Sequence, residues 1–151
     1  MPKYASERPV AHSADEMFAL GANIEDYPKF VPLCQALIVR GQSKEGDREI
    51  LVADMTVAYG PVRETFTTRV TLDRPAHIIA ASYLDGPFRR LDSSWSFAST
   101  GERSCIVRFA IDYEFRSRSL GLLMGSVFDT AFRKFAGAFE ARADAGYGRI
   151  A

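Results

Sequence analysis

The chain has 151 residues, is 47% hydrophobic and 25% charged, and balances 19 basic against 19 acidic residues. Those figures belong to an ordinary globular protein; they exclude a disordered or fibrous chain and any global electrostatic pull on nucleic acid or membrane. One domain, residues 1–151, accounts for the length, and a compact fold of this size buries roughly 68–70% of its unfolded surface without staples.

Tyr4–Val10 reads as a strand ended by His12-Ser13. Ser13 with Glu16 three positions on makes a capping-box pattern, and Met17, Phe18 and Leu20 give a short helix its apolar face, with Gly21 as its stop. In the next stretch Pro28 and Pro32 forbid a long helix, so a second short helix or turn closes a corner.

Strand then follows strand. Leu37–Val39 runs toward the turn Lys44–Asp47, and Leu51, Ala53, Met55, Val57 and Tyr59 alternate up to Gly60-Pro61. Phe66, Val70 and Leu72 alternate against Arg63, Thr65, Thr67, Arg69 and Thr71. Beyond Pro75 come Ile78–Leu84, the turn Asp85-Gly86-Pro87, and Leu91, Ser93, Trp95 and Phe97. After Ser99–Gly101, Cys105 through Phe115 alternate strictly. Short connections of this kind join antiparallel neighbours in a meander. Last, Leu120, Leu123, Met124, Val127, Phe128, Ala131, Phe135 and Phe139 recur at helical spacing, capped by Ser117 or Ser119 and ending in Gly146-Tyr147-Gly148. The class is α+β: a curved antiparallel sheet of about six or seven strands, a long C-terminal helix across it, and two short helices after the first strand.

A sheet of that width twists and curls, and one helix is narrower than the sheet, so space is expected between them. Small or polar residues fall on the inward face beside the large ones: Ala53, Thr68, Ser93 and Glu64. Glu64 faces inward if its strand is regular and outward if a bulge follows Pro61; an inward, unpartnered carboxylate is costly. Alternate turns share an end of a meander, which gathers Arg63, Arg89, Arg90, Arg116 and Arg118 at one edge beside an exposed Phe88. Such a rim suits anionic lipid head groups, or RNA phosphates, or is simply a solvated hairpin face.

Catalytic signals are sparse. His12 and His77 read as surface residues at element junctions, and Asp54, Asp92 and Asp112 lie opposite the apolar stripes. No nucleophile elbow, phosphate loop or metal-ligand spacing occurs. Cys34 and Cys105 lack redox spacing, and Cys105 falls on an apolar face, which suits a reduced, intracellular chain. Met1–Arg8 has no apolar leader core and no run is long enough to span a bilayer, so a cytoplasmic setting is expected.

Three ordered landmarks carry a resemblance. Tyr27-Pro28-Lys29-Phe30-Val31-Pro32-Leu33-Cys34, then Gly86-Pro87-Phe88-Arg89-Arg90-Leu91 with Trp95-Ser96-Phe97, then Tyr113-Glu114-Phe115, resemble the coenzyme Q-binding, START-like family. That family includes bacterial ribosome-association toxins and lies within the polyketide cyclase/dehydrase superfamily. The resemblance implies a helix-grip fold with a lipid-sized tunnel and binding of ubiquinone or a related polyisoprenoid, in support of respiratory electron transport. It implies no catalytic residue, no catalytic cofactor and no metal, with Tyr27–Leu33 and Gly86–Leu91 at the mouth.

Under that reading the ligand contacts are Phe30, Leu33, Met55, Val57, Phe66, Phe88, Trp95, Phe115, Leu123, Val127 and Phe128, each of which also makes sense as plain core. Glu64 is the polar cavity candidate, and the five rim arginines dock the protein peripherally on the inner membrane. Two alternatives stay open. One is a ribosome-association toxin that uses the rim on the large subunit to block subunit joining. The other is a cyclase in which Tyr59, Tyr113 and Glu64 steer ring closure. DNA is not an expected partner.

Overall fold

The computed structural model describes residues 3–147; Gly148, read as part of the helix stop, lies outside them. Seven strands form one antiparallel sheet: β1 (Lys3–Val10), β2 (Cys34–Glu45), β3 (Arg48–Tyr59), β4 (Val62–Asp73), β5 (Ile78–Asp85), β6 (Phe88–Gly101) and β7 (Ser104–Phe115). Two α-helices, α1 (Ala14–Ala22) and α2 (Arg118–Tyr147), and a 3₁₀ turn, Ile24–Lys29, complete the described chain. The order across the sheet is β1-β7-β6-β5-β4-β3-β2. The expected meander therefore runs from β2 to β7, and β1 adds itself beside β7 at the far edge. The first two strands lie at opposite edges, and the α1–3₁₀ corner spans the distance between them.

Alternation decides which side chains meet the helix. Phe109, Ile111 and Tyr113 of β7 are buried while Arg108 and Ala110 are exposed, and β4 repeats the pattern at Phe66, Thr68, Val70 and Leu72. The buried face of α2 follows the helical period through Met124, Phe128, Ala131, Phe132, Phe139 and Ala143. Ser117 caps α2, its Oγ accepting from Leu120 N at 3.1 Å. Ser13 and Glu16 make the expected capping box on α1, both bonds at 3.1 Å.

Gly21 does not stop α1, which continues to Ala22. A Cβ there would lie 2.8 Å from Ile79 Cδ1, so the glycine lets the helix approach β5 closely. Nor is His12 a surface residue: it is 1% exposed, and its Nε2 lies 2.7 Å from Asp144 Oδ1 near the end of α2. Arg8 of β1 adds a bond to Glu140 at 2.7 Å, and Arg133 stacks over Tyr4 at 5.4 Å. The helix is thus fastened to β1, β7 and α1, and its contacts concentrate there rather than on β2–β5.

Candidate functional site

Where α2 stands off from the middle strands, a cavity of about 120 Å³ remains. Its cause is side-chain volume. Ala53, Thr68, Ala81 and Ser93, on four successive strands, place small groups in a band across the concave face, and Ala131 does the same on the helix. Larger residues complete the wall: Ile24, Tyr27 and Val31 from the corner, Met55, Phe66 and Trp95 from the sheet, and Phe128, Phe132, Phe135 and Phe139 from α2. An engineered apolar cavity of about 150 Å³ admits benzene, so this space is on the scale of one ring.

The lining carries no charged side chain. Tyr27 spends its hydroxyl on Gly21 O at 2.5 Å, and burial raises its pKa. Half-buried Pro32, Leu33, Leu37 and Val57 form the less covered side of the wall. Leu33 holds a φ of +67°, a left-handed conformation that is strained for a branched side chain. Its carbonyl accepts from Ala58 N at 3.0 Å, tying the corner to β3.

The expected ligand contacts divide. Leu33, Met55, Val57, Phe66, Trp95 and Phe128 lie on the cavity wall. Phe88 does not, and it is not exposed: at 0% exposure it stacks on Phe115 at 4.8 Å and meets Phe66, Tyr83, Tyr113 and Phe128 edge-on or tilted. Gly86 makes this possible, because its φ of +141° and a Cβ that would sit 2.6 Å from Phe66 both require glycine. Phe115 is drawn into the same plug. Phe30 packs outside the wall, against Tyr27 and Phe139 with Arg142 over its ring. Val127 rests against the core beside the cavity, and Leu123 points away at 60% exposure.

Glu64 keeps the inward face, because β3 and β4 pair without a register shift up to Tyr59–Val62. It sits opposite Val57, half-buried, beyond the cavity wall. Tyr59 is exposed at the turn, and Tyr113 packs against Phe128 and Phe132 with its pKa raised by burial and by Asp129. The three groups considered for ring closure do not converge on the cavity.

The rim also divides. Arg90 is committed to Asp112 at 2.9 Å and Glu114 at 2.7 Å, and Arg89 lies 3.8 Å from Glu114. Arg116 donates from Nε to Phe88 O and from its backbone N to Pro87 O, both at 2.9 Å, so the β5–β6 turn and the start of α2 do meet. Arg63 and Arg118 are exposed, with no ion-pair partner among the described residues. At this end the structure adds an apolar feature the rim reading missed: Leu122 is 82% exposed, next to Leu123, with Tyr59 and Leu84 also uncovered. Among the described residues no helix is long and apolar enough to cross a membrane and no cluster of ligands suits a metal.

Comparison with known proteins places this geometry. The chain is 34% identical over 139 residues to a protein of Vibrio cholerae named "Ribosome association toxin RatA", covering 92% of this chain and 93% of the relative. It is 28% identical to "Coenzyme Q-binding protein COQ10 homolog B, mitochondrial" of Xenopus laevis, covering 97% of this chain and 60% of that one. The solution structure of an 18 kDa protein from Caulobacter crescentus matches at a TM-score of 0.81 and 32% identity, over 99% of this chain and 100% of that one. A START superfamily protein from Mycobacterium smegmatis matches at 0.77 and 19% identity, over 94% and 97% of the two chains, which shows the shared fold. The family model described as "Polyketide cyclase / dehydrase and lipid transport" matches residues 10–140, and the chain belongs to that family.

Proposed function

We propose that the protein binds ubiquinone or a related polyisoprenoid in the cavity beneath α2 and carries it, chemically unchanged, in support of respiratory electron transport. The observation that carries this reading is the cavity itself, ring-sized, enclosed by apolar and aromatic walls and without a charged group. Leu33, Met55, Val57, Phe66, Trp95 and Phe128 are its ligand contacts, and an isoprenoid tail leaves past the thinly covered Pro32–Leu33 side. Tyr59, Tyr113 and Glu64 stand off the wall, which favours a carrier over a cyclase. The exposed Arg63 and Arg118, with Leu122 and Leu123, dock this end on the anionic inner membrane from the cytoplasm.

Trp95 supplies the test. It is the only tryptophan in the chain and lies on the cavity wall, stacked on Phe139 at 4.1 Å. Titration with a short-tailed ubiquinone should quench its fluorescence saturably, and the Ala81→Leu variant, which fills the space, should not quench. Equal, unsaturable quenching of both proteins would show mere collision and refute the carrier reading.

A second reading has its own support: relatives named as ribosome-association toxins reach 34% identity over nearly the full chain, and Arg63 and Arg118 offer free cations to phosphate. It predicts co-sedimentation with large ribosomal subunits at moderate salt, lost on Arg63→Glu with Arg118→Glu. Absence of co-sedimentation by the unaltered protein rules it out.

A further inference from the structure

Besides Tyr27, whose hydroxyl is spent on Gly21 O, two hydroxyls interrupt the otherwise apolar wall. Thr68 is 7% exposed and Ser93 half-buried; both line the cavity, and neither hydroxyl has a hydrogen-bond partner among the described residues. Among the described residues the only side-chain polar atom that is both sealed from contact and unbonded is Ser6 Oγ. The Thr68 oxygen therefore keeps accessible surface rather than being shut against protein, on a residue that lines the cavity. A buried hydroxyl left without a partner is unfavourable, so these two are poised for a partner from outside the chain.

Their placement is specific. Thr68 pairs with Ala53 on β3 and Tyr83 on β5, while Ser93 pairs with Ala81 on β5 and Ile111 on β7. They sit two strands apart and offset by two residues, with small Ala81 between. On a flat sheet that separates their Cα atoms by roughly 12 Å, from strand spacings of about 4.8 Å and a rise of about 3.4 Å. Concave curvature brings the inward side chains closer. A six-membered ring with oxygens on opposite sides, each accepting a bond of about 2.7–2.8 Å, bridges such a gap.

We propose that Thr68 and Ser93 form a polar seat that hydrogen-bonds a neutral, oxygenated ring at the head of an apolar ligand, with Ala53 and Ala81 leaving room for the ring. The inference rests on the carrier reading and narrows its ligand class. No lysine, arginine or histidine lines the cavity, so a fatty-acid carboxylate or a phosphate head would be buried without a counter-charge, at high cost. A hydroxyl can donate to a ring carbonyl or accept from a ring hydroxyl, so the seat accommodates both the oxidised and the reduced form of a quinone.

The experiment compares three probes on the whole protein: a short-tailed ubiquinone, the oxygen-free polyprene squalene, and oleate. Each is measured by competition for Trp95 quenching. The unaltered protein should bind ubiquinone most tightly and oleate least. The near-isosteric Thr68→Val and Ser93→Ala changes should each weaken ubiquinone by about 2- to 12-fold and leave squalene unchanged. Thr68→Ser, which keeps the hydroxyl, should restore the preference, and thermal melts check that all variants fold. If the double variant prefers ubiquinone over squalene as strongly as the parent, the polar seat is refuted while the carrier reading stands. Oleate binding as tightly as ubiquinone also refutes the seat. If the unaltered protein binds none of the probes, the carrier reading falls, and the seat with it.

Discussion

Phe88 shows how one residue sets the shape of the interior. Five aromatic neighbours surround it, and it lies between the cavity-wall residues Phe66 and Phe128 and the Gly86-Pro87 turn. Phe88→Ala should cost about 3–5 kcal/mol, as large-to-small changes at fully buried aromatics do, read as a lower urea midpoint. Ala81→Leu acts in the opposite sense: it fills space that is already empty, so stability should hold or rise while quinone binding falls at least about tenfold. A parallel loss of both would mean that Ala81 merely packs. The two buried thiols add a pH signature. Burial raises Cys34 and Cys105 from 9.0 to about 11, so the fold keeps them neutral while the unfolded chain releases their protons near 9.0. Their contribution is fully present below pH 9.0 and is lost as the pH rises toward 11. Denaturation midpoints across that range should fall, and less steeply when both cysteines are alanine; a flat profile for the parent would contradict the burial.

Among the elements, α2 is ion-paired at its later turns and partly uncovered on one side near its start. Arg8–Glu140 and His12–Asp144 hold its later turns, whereas Leu122 and Leu123 stand exposed near its start. Arg63→Gln with Arg118→Gln should weaken docking on anionic vesicles by roughly 30-fold, taking about 1 kcal/mol for each cation lost near a charged surface, with the melting temperature unchanged. Docking that survives this change would move the membrane contact elsewhere. The strands, the Ser13 capping box and a serine cap for α2, narrowed to Ser117 or Ser119, were legible because period and cap chemistry are local. The placement of β1 beside β7 was not, since nothing in a strand names its partner. The cavity wall was half legible for a related reason. Selection by size and greasiness picked Phe88, Phe115 and Leu123, which the fold uses as plug and surface, and passed over Ala81 and Ala131. Space arises where side chains are small, so the alanines and hydroxyls, not the phenylalanines, mark it. His12 read wrongly as a surface residue because its partner, Asp144, lies 132 positions away.

At the scale of the molecule, a balanced net charge leaves recognition to local features: one uncharged cavity, one small cationic and apolar end. A carrier needs this combination, since the cargo is extracted by burial and exchanged where the protein meets lipid. It also needs the cavity to widen beyond a single ring when a tail enters, and the strained Leu33 beside the loosely covered Pro32 is where the wall can yield. The measurement that tests the central claim most directly is native mass spectrometry of gently purified protein, with organic extraction and identification of what it releases. The account predicts a neutral quinone or related oxygenated polyisoprenoid at up to one molecule per chain, absent from the Ala81→Leu variant. Protein that emerges empty, and stays empty after incubation with ubiquinone-loaded vesicles, would contradict it.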